Sequence, residues 1–175
     1  MKTAVQALLV LLACIILAES AEEKPFQLSI VPEGRSEKSS SISMAKDTQR
    51  KFYVVLTNTS NRAQPVFETW NSWGYQTISF ELILPSGGRT TLCVKPQTFT
   101  MNYPSTYVIP PKGHHVFPIT LNDEWALKSD FGGPGKTKVK LTALYEVLAT
   151  KESTEKKVWI GRIVSETIIV EVNHL

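Results

Sequence analysis

The sequence predicts an all-β protein, an antiparallel immunoglobulin-like β-sandwich of about eight strands. Three observations lead there: apolar residues alternate with polar ones in several stretches, turn formers separate those stretches, and no stretch sustains a helical period. A chain of 175 residues, 42% hydrophobic and 20% charged, has the apolar content for one core. Disorder and collagen are excluded by that composition, and two cysteines cannot make a disulfide-dense scaffold. The competing closed barrel is disfavoured, because several strands have one wet face, the connections vary in length, and regular glycine bends are missing.

Taken in order, Lys2 precedes an unbroken apolar run from Ala7 to Ala18, the pattern of a secretory signal peptide. The run is too short for the ~20 residues that span a bilayer. Ala18 and Ser20 are small residues suited to cleavage after Ser20, so residues 1–20 are the expected leader and the exported chain starts near Ala21. Leu11, Leu12 and Ala13 before Cys14 raise a lipoprotein alternative, which the bulky Leu12 and the continuing apolar run disfavour. Removing Lys2 and Glu19 with the leader keeps the net charge at +3. No dense Lys/Arg cluster gives a nucleic-acid footprint. Cys93 is then left without an intramolecular disulfide partner.

Residues 21–50 read as an N-terminal strand, Phe26 to Val31, followed by the polar loop Ser36 to Ser43; residues 51–175 are the sandwich body of the same domain. In Lys51 to Thr57, Phe52, Val54 and Leu56 share one face. Asn58, Thr59, Ser60 and Asn61 turn the chain. Ile78, Phe80, Leu82 and Leu84 repeat the period, and Pro85-Ser86-Gly87-Gly88 makes a hairpin into Arg89 to Val94. Phe117, Ile119 and Leu121 share a face, as do Val139, Leu141, Ala143, Tyr145 and Val147. Trp159 to Val164 and Thr167 to Val172 complete the set. The best helical candidate is Asp123 to Lys128, with Asn122 as a cap.

Val54-Val55-Leu56-Thr57-Asn58-Thr59-Ser60, Phe80-Glu81-Leu82, the Gly87-Gly88 turn and Tyr107-Val108-Ile109-Pro110-Pro111-Lys112-Gly113 occur in an order that resembles secreted bacterial immunoglobulin-like domains. Among these, the chain is distantly similar to the intracellular proteinase inhibitor-like family. The likeness covers roughly residues 50–125 and implies strand ends and turns. With Trp70 to Tyr75 and Trp159 to Ser165 included, the chain looks more like uncharacterised exported bacterial proteins of this kind than like an inhibitor.

Catalytic and cofactor patterns fail on spacing. Gly132 to Thr137 ends like a phosphate loop, but Asp130 stands where its first glycine belongs and a strand follows. His114 and His115 are adjacent, so on a strand they point to opposite faces and cannot chelate one metal together. Cys93 reads as a structural thiol. Asp123, Glu124 and Asp130 lack the alternate spacing of a calcium loop. No catalytic residue, metal or cofactor is expected. With His174 the third and last histidine, a triad is hard to assemble.

The segment Trp70 to Tyr75 draws attention because aromatic rings in a loop, beside Asn71 and Ser72, can form a recognition surface. The favoured reading is that Trp70 and Trp73 both fold inward and anchor the loop; in the recognition reading, alternation from Val66 turns Trp70 inward and Gly74 allows Trp73 to turn outward. The candidate binding residues are therefore Trp73, Tyr75 and Asn71. The function expected is a non-catalytic binding or structural domain, secreted or periplasmic, contacting an unidentified protein or glycan in the envelope or extracellular space. A secreted proteinase inhibitor is the alternative. No transmembrane segment is expected in the mature chain. Asn58-Thr59-Ser60 is a glycosylation sequon in a eukaryotic host and otherwise a turn.

Overall fold

A computed structural model describes residues 24–32, 51–121, 124–127 and 135–174. The expected leader, the polar loop at 36–43 and the glycine-rich segment at 132–134 lie outside these residues.

The described chain is an antiparallel β-sandwich. One layer has three strands in the order β1 (Phe26–Pro32), β2 (Lys51–Asn58) and β7 (His114–Thr120). The facing layer is built on the 13-residue β9 (Gly135–Val147), with β4 (Ile78–Ile83), β5 (Arg89–Val94) and β8 (Trp125–Leu127) on one side. Along the other side of β9 run β10 (Gly161–Val164) and β11 (Ile168–His174). β3 (Gln64–Phe67) and β6 (Thr106–Ile109) form a separate ribbon.

The two-residue period dictates the packing. Phe52, Val54 and Leu56 of β2 are buried against Phe80 and Leu82 of β4 and against Leu141, Ala143 and Tyr145 of β9 within one apolar core. Aromatic rings cross between the layers: Phe52 meets Phe80 at 5.4 Å between centroids, and Tyr145 meets Phe26 at 6.4 Å. Edge-on pairs of this kind add to the area they bury. β7 carries Pro118 and, among the described residues, pairs with β2 alone, so the missing N–H falls on an edge where the sheet tolerates it.

Among the described residues there are eleven strands, against the expected eight or so. β10 and β11 are two halves of one line: three residues, Ser165, Glu166 and Thr167, stand opposite two, Thr142 and Ala143. This is a β-bulge. Ser165 repairs the ladder across it, since its N–H donates to Ala143 O at 2.9 Å and its Oγ accepts from Ala143 N at 2.9 Å. The helical expectation for Asp123 to Lys128 is corrected: Trp125 to Leu127 pair with Val94 to Leu92 as strand β8. A cap signal without an apolar period behind it cannot outweigh a strand edge awaiting a partner. Two short helices went unforeseen, α1 (Ser72–Tyr75) and α2 (Lys151–Glu155). Each is made by its cap: Asn71 for α1, and a Thr150–Ser153 capping box for α2. No helix among the described residues is long and apolar enough to cross a membrane.

Candidate functional site

The loop between β3 and β4 is organised by Asn71. This residue is fully buried, and its side chain satisfies four partners. Oδ1 accepts from Trp73 N at 3.1 Å and Gly74 N at 3.0 Å, while Nδ2 donates to Ser105 O at 3.1 Å and Ser105 Oγ at 3.2 Å. Asn71 thus starts α1 and ties it to Ser105, the residue that leads into β6. A Cβ on Gly74 would lie 2.2 Å from Glu68 O, so the helix rests directly on the backbone that leads into it.

That turn of helix carries Trp73 inward. Its ring lies 6.4 Å from Phe67 and packs against the apolar core. Trp70, by contrast, is 41% exposed and Tyr103 is 59% exposed, their rings edge-on at 4.8 Å and 68°. Met101 stands nearby in sequence at 76% exposure. The expected orientations of the two tryptophans are therefore corrected: Trp70 is the outward ring and Trp73 the inward one. Tyr75 is half-buried, edge-on to Phe99 at 5.5 Å, and faces a cleft of about 500 Å³ with Ile78, Phe117 and Trp125. Burial and the neighbouring Glu124 charge raise the Tyr75 phenol above its ordinary value. Of the three expected binding residues, Asn71 is spent on the cap, Trp73 is half-buried, and Tyr75 borders a cleft.

The exposed pair is held from beneath. Trp70 Nε1 donates to Glu68 Oε2 at 2.9 Å, and Ser105 Oγ donates to the same oxygen. Both bonds favour the charged carboxylate and hold Glu68 below the ordinary carboxylate value. Asn102 accepts from Ser72 N at 3.0 Å and donates to Ser72 Oγ at 2.8 Å, binding the second loop to the first. Sequence reasoning missed Tyr103, Met101, Glu68 and Asn102. Aromatic residues between Pro96 and Pro104 were a signal, but nothing in the sequence joins two loops thirty residues apart.

The residues weighed for chemistry are placed otherwise. His114 is exposed, whereas His115 is half-buried between the rings of Tyr107 at 4.5 Å and Phe117 at 4.4 Å. Burial lowers the His115 pKa and favours the neutral ring. The Tyr107 phenol is pushed up to about 12 by burial, and its hydroxyl has no hydrogen-bond partner among the described residues. Cys93 is half-buried on β5 opposite Ser79 and Ala126. Among the described residues, no three His, Cys, Asp or Glu side chains cluster as a metal site would need.

Asn58 is buried at the end of β2. Its Nδ2 donates to Ile109 O at 3.1 Å, Pro110 O at 3.0 Å and Arg62 O at 2.7 Å. A glycan on that nitrogen would break this set, so in the folded chain the sequon is a turn.

Comparison of the chain with known protein families and with curated proteins finds no match.

Proposed function

We propose that this chain is an exported, non-catalytic binding domain that contacts another protein through the surface around Trp70 and Tyr103. The observation that carries the reading is that two large aromatic side chains are exposed yet fixed, through Glu68, Ser105 and the Asn102–Ser72 pair. Tryptophan, tyrosine and methionine are enriched where proteins meet, and rings already held in place lose little freedom on binding. A protein is favoured over a glycan here because rings crossed at 68° present a ridge, whereas a sugar stacks on a flat face. Export rests on the leader-like residues 1–20. The non-enzymatic reading is supported by the placement of His114 and His115, one in solvent and one packed between aromatic rings.

The test is capture of partners from envelope and culture-medium fractions by the wild-type chain and by a Trp70→Ala/Tyr103→Ala variant. A specific protein captured by the wild type and lost from the variant, with unchanged circular dichroism, is the expected result. Equal capture by both overturns the reading.

One observation also favours the inhibitor alternative: Met101 and Tyr103 stand exposed on a segment pinned at Asn102 and Ser105, as a loop offered to a proteinase cleft would be. Inhibition of a secreted proteinase, lost on Met101→Ala or Tyr103→Ala, distinguishes that reading.

A further inference from the structure

At the other end of β3 from Trp70, a cleft of about 510 Å³ opens between the turn after β2, the turn before β7, and Trp159. We propose that this cleft is a separate binding site for an acidic saccharide unit, a sugar ring bearing a carboxylate.

Its wall is a fixed indole. Gly161 has φ +146°, and a Cβ there would lie 2.6 Å from Trp159 Cζ2, so the ring lies flush against a backbone that only glycine can supply. Phe26 meets the same indole edge-on at 5.9 Å. A half-buried tryptophan held on two sides offers its remaining surface to a ligand, and indole faces stack on the C–H face of a pyranose.

Its charge is positive. Arg62 and Lys112 line the cleft, and no carboxylate among the described residues does. The Arg62 side chain is exposed and makes no ion pair or hydrogen bond among the described residues. Its planar fork suits a carboxylate. Lys112 is the more telling residue. It occupies the third position of a turn closed by Gly113 N to Pro110 O at 2.9 Å, with φ +61°, where glycine would sit without strain. The chain holds a lysine there, and its Nζ reaches Thr59 O at the cleft. Asn61 and Gln64 add amide groups able to bond sugar hydroxyls.

The strained lysine gives a test in which stability and binding move in opposite directions. Titration of the purified chain with an oligogalacturonate, by calorimetry at two salt concentrations, should show binding that weakens as salt rises. A neutral galactose oligomer of equal length should bind at least about tenfold more weakly, as expected when a charged hydrogen bond is lost. Lys112→Gly should keep or raise the melting temperature and weaken oligogalacturonate binding about tenfold, and Arg62→Gln should weaken it similarly with an unchanged melting temperature. Any of four results overturns the proposal: no binding of the oligogalacturonate, equal binding of the neutral oligomer, equal binding of an oligoglutamate, which would make this an acidic-peptide site, or unaltered binding by Lys112→Gly.

Discussion

Trp70 and Trp73 lie three residues apart in one loop and have opposite fates: one ring stands in solvent against Tyr103, the other packs on Phe67. Strand alternation assigns them the other way round. The reason is local. β3 ends at Phe67, where Val66 and Phe67 are both buried, so the alternation stops three residues before Trp70. Asn71 then caps one turn of helix, and the geometry of that turn decides where each ring goes. The contrast teaches that a buried polar cap, more than the apolar character of a ring, can set which aromatic side chain remains outside.

The largest expected effect comes from removing the space on which the turn depends. Gly74→Ala puts a methyl 2.2 Å from Glu68 O, and backbone on both sides cannot yield cheaply. The variant should lose ~3 kcal/mol or more and turn the loop out of register with Ser105. Equilibrium denaturation checks this; an unchanged midpoint would remove the cap as the organiser of the loop.

Trp73→Ala should follow, at about 2–3 kcal/mol, below the ~3–5 kcal/mol of a fully buried ring because Trp73 is only half-buried. In a chain of this size that is a melting-temperature loss on the order of 5–10 °C, read by calorimetry. Asn71→Ala comes next, at about 2 kcal/mol, the upper part of the range for a helix cap, because the buried amide also serves Ser105. A smaller loss from Trp73→Ala than from Trp70→Ala would reverse the whole comparison.

The regions that were legible in the sequence share one property, a wet face opposite a dry one. β2, β4 and β9 show it, with Phe52, Val54 and Leu56 or Val139, Leu141 and Ala143 buried in alternation. That pattern is a local consequence of burial and needs no knowledge of the partner strand. What was hidden depends on a partner. β8 becomes a strand because Leu127 stands opposite Leu92. The bulge at Ser165 exists only relative to Ala143, so residues 159–172 read as two strands and not as one interrupted line. The Trp70–Tyr103 pair joins two loops through side chains that carry no periodicity. The turn residues were legible in kind and partly in role: Pro110 to Gly113 is a turn as expected, but its Lys112 adopts a conformation the sequence would assign to glycine.

Trp70 closes the series with the smallest effect on stability and the most informative one. Trp70→Ala removes a half-exposed ring and one hydrogen bond to Glu68, so it should cost no more than ~1 kcal/mol. The Glu68 carboxylate adds a pH arm with a definite sign. Its folded pKa lies below the ordinary 4.5, first because of Ser105 and then because of Trp70. A depressed carboxylate contributes stability that is present above 4.5 and is lost as pH falls through the folded value. Acidification below 4.5 should therefore release Trp70 from Glu68 while Trp73, packed against Phe67, stays in place. Tryptophan fluorescence followed from pH 6 to pH 3, roughly spanning the ordinary carboxylate range, should show a transition in the wild type that Trp70→Ala abolishes and Trp73→Phe retains. If the transition persists in Trp70→Ala, Glu68 does not hold that ring, and the exposed pair loses the support on which its role as a contact surface depends.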